Sequence, residues 1–272
     1  MITLFKRLRH HRVTLLCALA LWAAPAPQAR AETLEIVGTG DGMIVLHALA
    51  KAFSVNHPQD EIVVPDSIGS SGGYKAVGND KALLGRVARK IKPREEPYGL
   101  TYLPIAKFPV VFFVNKSVTV SNLSAAQIND IYRGKIVNWS EVGGAEGKIR
   151  VVRREEGDSS LGNLRATFPG FDEVTITPYS KTATLNQHNF EIVTQKEGTI
   201  GFGPYADALK ENVTILNIDG LAPTDENYPS FGTLALIFKA ANRQGLVEAF
   251  LKFVETSPAM QAIRSAHATP YK

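Results

Sequence analysis

Leu34-Glu35-Ile36-Val37 runs directly into Gly38-Thr39-Gly40-Asp41-Gly42, after which Ile44, Leu46, Leu49, Ala50 and Phe53 recur on one helical face. That order is strand, glycine turn, helix. The same grammar returns twice. Ile62-Val63-Val64 is followed by Ser67-Ile68-Gly69-Ser70-Ser71-Gly72-Gly73 and a short helix from Tyr74. Ile149-Arg150-Val151-Val152 leads through Arg153-Arg154-Glu155-Glu156-Gly157-Asp158-Ser159-Ser160 to a helix reaching about Phe168.

Between these units, Val110-Val111-Phe112-Phe113-Val114 is a continuous apolar run, a buried strand bounded by Pro109 and Asn115. Ser124-x-x-Gln127 is a capping box ahead of Ile128, Ile131 and Tyr132, and Thr184-x-x-Gln187 predicts a second helix start of the same kind. Leu234–Phe238 reads as a strand, Leu246–Val254 as a helix, and Ser257-Pro258 caps a last short helix. Strands alternating with helices predict an α/β protein with mostly parallel sheets. Asp219–Ser230, with Pro223 and Pro229, is the longest stretch without a pattern, suited either to a crossing between two lobes or to a surface loop.

The charge narrows the function. The 272 residues hold 30 Lys and Arg against 26 Asp and Glu, which invites a nucleic-acid reading. However, Lys6, Arg7, Arg9, Arg12 and Arg30 all precede Glu32, the first acidic residue, and leave 25 basic against 26 acidic residues after Ala31. The first 31 residues have the anatomy of a secretory signal: a basic start, an apolar stretch Val13–Ala24, and Ala29-Arg30-Ala31 as cleavage site. The single cysteine, Cys17, falls inside that stretch, so the mature chain has none and must rely on its own core. The expected product is a periplasmic protein, near neutral in charge, without affinity for nucleic acid.

A strand ending in a Gly/Ser turn that opens a helix presents unpaired N–H groups and the positive end of the helix dipole. Small residues let an anion approach, hydroxyls add donors, and Arg154 adds a cationic fork. Three such turns converging would form one oxyanion site. The alternative for any single turn is that its glycines only shape the chain and that Asp41, Asp158 or Ser159 only caps a helix. Gly69-Ser70-Ser71-Gly72-Gly73 also satisfies G-x-S-x-G, which would make Ser71 the nucleophile of a serine hydrolase with His267 as base. The histidines His47, His57, His188 and His267 lack metal-ligand spacing, so no metal and no cofactor are expected. The run Arg86, Arg89, Lys90, Lys92, Arg94 reads as a solvated face.

The three turns, together with Asp130-Ile131-Tyr132-x-Gly134-Lys135-Ile136-x-Asn138-Trp139 and Gly198-Thr199-Ile200-Gly201-Phe202, resemble the periplasmic phosphate-binding proteins of ABC importers across residues 34–270. The resemblance implies a two-lobed fold that closes on phosphate or a similar tetrahedral oxyanion, hands it to an ABC permease as a monomer, and catalyses nothing. It implies lobe 1 as residues 32–112 plus 222–272 and lobe 2 as 113–221. The implied ligand residues are Thr39, Asp41, Gly42, Met43, Ser70, Ser71, Arg154, Asp158, Ser159 and Ser160. Ser70 and Arg154 match family phosphate ligands, while Gly42-Met43 stand where the family has Thr-Phe. Two positions depart: Asp158 replaces a serine, and Ala88 stands where a family aspartate accepts a hydrogen bond from protonated phosphate. Asp158 would supply that acceptor from the opposite wall, or else cap its helix in an accessory or sensor protein whose ligand is altered or lost.

Overall fold

The computed structural model describes residues 31–271. The expected signal segment lies outside the described residues except for Ala31. The strands in chain order are β1 (Thr33–Gly38), β2 (Glu61–Val63), β3 (Leu84–Val87), β4 (Thr101–Asn115), β5 (Asn122–Leu123), β6 (Arg150–Arg154), β7 (Lys181–Ala183), β8 (Thr199–Pro204), β9 (Val213–Ile215), β10 (Asn217–Ile218), β11 (Phe231–Phe238) and β12 (Thr269–Pro270). The helices are α1 (Met43–Phe53), α2 (Gly69–Gly78), α3 (Ala125–Arg133), α4 (Ser159–Thr167), α5 (Asn186–Gln195), α6 (Tyr205–Ala208), α7 (Gly245–Phe253) and α8 (Ser257–Ser265).

The main sheet runs β2-β1-β3-β11-β4-β8-β6-β7, with β9 and β12 also on β4. Both ends are parallel, β1 with β2 and β3 on one side and β6 with β7 and β8 on the other, as the strand–turn–helix units require. Antiparallel β11 and β4 join the two ends. β4 is the joint itself: Thr101–Pro109 pairs with β11 and Val110–Val114 with β8. The sequence reading found only the second half of this strand, because Pro104 and Pro109 argue against a ladder. Pro104 is accommodated beside a β-bulge opposite Leu234 and Ala235, and Pro109 sits where β4 changes partner.

The core follows this division. Phe53 makes edge contacts with Phe250 and Phe253 where α1 meets α7, on the β1 side. Phe112, Tyr132, Phe168, Phe171 and Phe202 form a second aromatic cluster beside the β8 half of β4. Trp139, buried beside the same half, donates its Nε1–H to Gly198 O at 3.1 Å.

Three local expectations change. The Gly/Ser run at 69–73 is the first turns of α2 and not a loop. Gly73 lies where α2 meets β1 and β3: a Cβ there would stand 3.1 Å from Gly38 Cα and from Arg86 O, a tight approach that would push helix and strand apart by a few tenths of an ångström. Thr184 does not cap α5, which starts after Leu185. Thr256, and not Ser257, caps α8, accepting from Ala259 N–H. Ser124 and Gln127, in contrast, form the reciprocal capping box that their spacing predicts.

Candidate functional site

The C-terminal ends of β1 and β6 and the N-terminal ends of α1, α2, α4 and α5 meet around a cavity of about 720 Å³. This is where ligands sit in parallel α/β sheets. Of the residues singled out in the sequence, Thr39, Asp41, Met43, Ser70, Arg154, Asp158 and Ser159 line it. The turns touch one another directly. Ser70 Oγ and Ser159 Oγ are 2.8 Å apart, and Ser160 Oγ donates to Asp41 Oδ2 at 2.9 Å.

Ser70 and Ser71 part company because successive helix residues point about 100° apart. Ser70 is buried toward the cavity and accepts from Ala88 N–H at 3.0 Å. Ser71 faces the other way and accepts from Arg89 Nη2 at 3.0 Å. Arg89 is in turn held bidentately by Glu95 at 2.6 and 2.7 Å and lies over the Tyr74 ring. Gly42 does not line the cavity; it is the left-handed residue, φ 78°, that starts α1, and any side chain there would meet Leu234. Ser160, fully buried, reaches the cavity only through Asp41.

Arg154 is the central cation. Its Nη2 contacts Asp158 Oδ2 at 2.8 Å and Thr184 O at 3.2 Å, and its Nη1 donates to Asn186 Oδ1. Its buried Nε–H has no acceptor among the described residues. Asp158 serves as the N-cap of α4, accepting from Leu161 N–H at 3.0 Å. Burial and the nearby Asp41 charge push the Asp158 carboxyl upward, against the pull of Arg154.

Sequence reasoning missed three groups. Asn186 is a hub that accepts from Arg154 and donates to Asp41 Oδ1 at 3.0 Å and Asp207 Oδ2 at 3.4 Å. Its one signal was its place inside Thr184-x-x-Gln187, a helix start. Asp207 is raised to about 7 by burial and by Asp41, a long-range proximity that carries no sequence signal. Arg86, read as part of a solvated face, is fully buried, because its guanidinium donates to the carbonyls of Thr39 at 2.7 Å, Pro65 at 2.6 Å and Ile36. Burial lowers it only to about 10, so it remains a cation beneath the first turn. Asp66, Glu155, Glu211, Lys210 and His47 complete the charged lining, with burial as the first cause lowering His47.

The cavity thus joins an unspent buried guanidinium donor and paired hydroxyls to several carboxylates. Groups that donate and groups that accept face the same space, which suits an oxyanion carrying its own proton.

A family model described as a PBP superfamily domain matches residues 23–257. The chain belongs to that superfamily. A curated relative, the phosphate-binding protein PstS of Bacillus subtilis, is 26% identical over 89% of this chain and 81% of its own length. A solved structure, a putative phosphate ABC transporter substrate-binding protein with bound phosphate from Clostridium perfringens, is 27% identical, covers 88% of this chain and all of its own, and has a TM-score of 0.77. An ABC-type phosphate transport receptor from Vibrio cholerae, at 23% identity and TM-score 0.65, shares the fold. Membership in the PBP superfamily makes this a two-lobed α/β binding protein and not an enzyme. The hydrolase alternative is thereby corrected, in keeping with Ser71 engaging Arg89 and His267 packing on Tyr205.

Proposed function

We propose that this protein captures phosphate, or a similar tetrahedral oxyanion that retains a proton, between two lobes and delivers it to an ABC permease. The observation that carries the proposal is the buried Arg154 Nε–H, without an acceptor among the described residues, at a cavity where turns of β1, α2 and α4 meet. The names of the relatives support the same ligand and the same transport role. Thr39, Met43, Ser70, Ser159 and Arg154 would hold the anion, with Asp41, Asp158 and Asp207 as acceptors. Sulfate, unprotonated at neutral pH, would face those carboxylates with nothing to donate.

The change of partner along β4 at Pro109 and Val110 supports lobes of residues 32–112 plus 222–272 and of residues 113–221. Asp41 with Ser160 and Ser70 with Ser159 would then be contacts made as the lobes close. The protein would act as a periplasmic monomer released after Ala31.

Thermal unfolding in the presence of phosphate, sulfate, molybdate and a phosphonate tests the reading. Phosphate at a hundred times its Kd adds about 2.7 kcal/mol to stability. A transition that moves with none of the four would replace the transport reading with that of an accessory or sensor protein that has lost the ligand.

A further inference from the structure

Arg86 is the largest of the fully buried side chains, yet it does not line the oxyanion cavity. It stands on β3, in register with Gly38 of β1. A buried cation is ordinarily matched by a carboxylate, because an unmatched charge is costly to take out of water. Among the described residues the hydrogen-bond partners of this guanidinium are three backbone carbonyls and no carboxylate. Asp66, the acid whose charge acts on it, is exposed, so water screens that attraction. A full positive charge therefore lies within the fold without a direct counter-ion.

Two of the three carbonyls lead into the cavity wall. Nε donates to Thr39 O at 2.7 Å and Nη2 to Pro65 O at 2.6 Å. The peptide bonds of the described residues are trans, and in a trans peptide the carbonyl and the following N–H point in opposite directions. Holding Thr39 O and Pro65 O turns the N–H groups of Gly40 and Asp66 away from the guanidinium. Gly40 and Asp66 both line the cavity, and neither N–H has an acceptor among the described residues. The Arg86 charge also reaches the cavity: His47, in its lining, is lowered first by burial and next by Arg86.

We propose that Arg86 is the buried counter-charge of the oxyanion site, a positioning residue that does not touch the anion but orients the Gly40 and Asp66 amides toward it and attracts it through the protein. This rests on the oxyanion reading of the cleft.

The test is calorimetric titration of residues 32–272 with phosphate at pH 7, in the wild type, Arg86→Gln and Arg86→Lys. Glutamine keeps an amide donor and loses the charge, whereas lysine keeps the charge and loses the planar fork. Arg86→Gln should weaken phosphate about tenfold or more, and Arg86→Lys should stay within about threefold of the wild type. His47, followed by NMR, should titrate at higher pH in Arg86→Gln than in the wild type or Arg86→Lys. Wild-type affinity in Arg86→Gln, or equal losses in the two variants, would overturn the proposal and leave Arg86 a purely structural group. Should Arg86→Gln fail to fold by circular dichroism, Arg86→Lys decides alone: a loss of about tenfold with the charge still in place would overturn the proposal. A wild type that binds no phosphate would overturn the oxyanion reading itself, and this proposal with it.

Discussion

Replacing Arg154 separates folding from binding. The Arg154–Asp158 pair is buried, with both side chains under 10% exposed, so Arg154→Met leaves a carboxylate without its cation. Breaking one side of a buried pair costs about 3–5 kcal/mol. Asp158 would then be pushed further toward its neutral form, and Asn186 and Thr184 O would lose a donor. The double variant Arg154→Met with Asp158→Asn removes both charges, and the amide oxygen still accepts from Leu161 N–H to cap α4. Most of the stability should therefore return, whereas phosphate binding should not. Loss of a hydrogen bond to a charged group costs about 1.5–3 kcal/mol, about a ten- to 150-fold weakening. Urea denaturation reads the first effect and isothermal calorimetry with phosphate the second. Wild-type phosphate affinity in the double variant would refute Arg154 as the counter-charge of the anion.

Other perturbations probe separate parts of the account. Asp207 is raised from 3.8 to about 7, so the fold binds a proton that the unfolded chain releases. Its stabilisation is complete below pH 4 and is lost as pH rises through about 7, so the ligand-free protein should melt lower at pH 8 than at pH 5, and Asp207→Asn should flatten that slope. Sulfate, which does not titrate in this range, should bind better at pH 5.5 than at pH 8 as the cavity carboxyls take up protons; an affinity independent of pH would contradict their place at the ligand. Ser71→Ala should leave phosphate affinity unchanged in calorimetry and cost about 1 kcal/mol through the lost Arg89 bond. Gly38→Ala should destabilise by about 4 kcal/mol or more, seen as loss of soluble protein, since Gly38 has φ 143° and its Cβ would stand 1.9 Å from Arg86 O.

The fold was legible where local chemistry agrees with tertiary packing. Val37–Gly42 and Val152–Ser160 announce a turn between strand and helix, and Ser124 with Gln127 announces a helix start that the structure contains. The long strand β4 was half hidden because two prolines speak against a strand locally, while a bulge and a change of partner tolerate them globally. For the site, the residues of the turns were visible because turn composition is local. The burial of Arg86 was not, since three carbonyls from two separate segments hold it and charge alone places an arginine on the surface. Nor were the opposite directions of Ser70 and Ser71 visible while the run around them read as a loop. Asn186 and Asp207 belong to the site through tertiary contacts, Asn186 with Arg154 and with Asp41, 145 residues away, and Asp207 with Asn186.

The most direct measurement is calorimetric titration of residues 32–272 with phosphate and, in parallel, sulfate at pH 7. One phosphate should bind per chain, with a distinctly weaker response to sulfate. No saturable phosphate binding, or sulfate bound as tightly as phosphate, would contradict it.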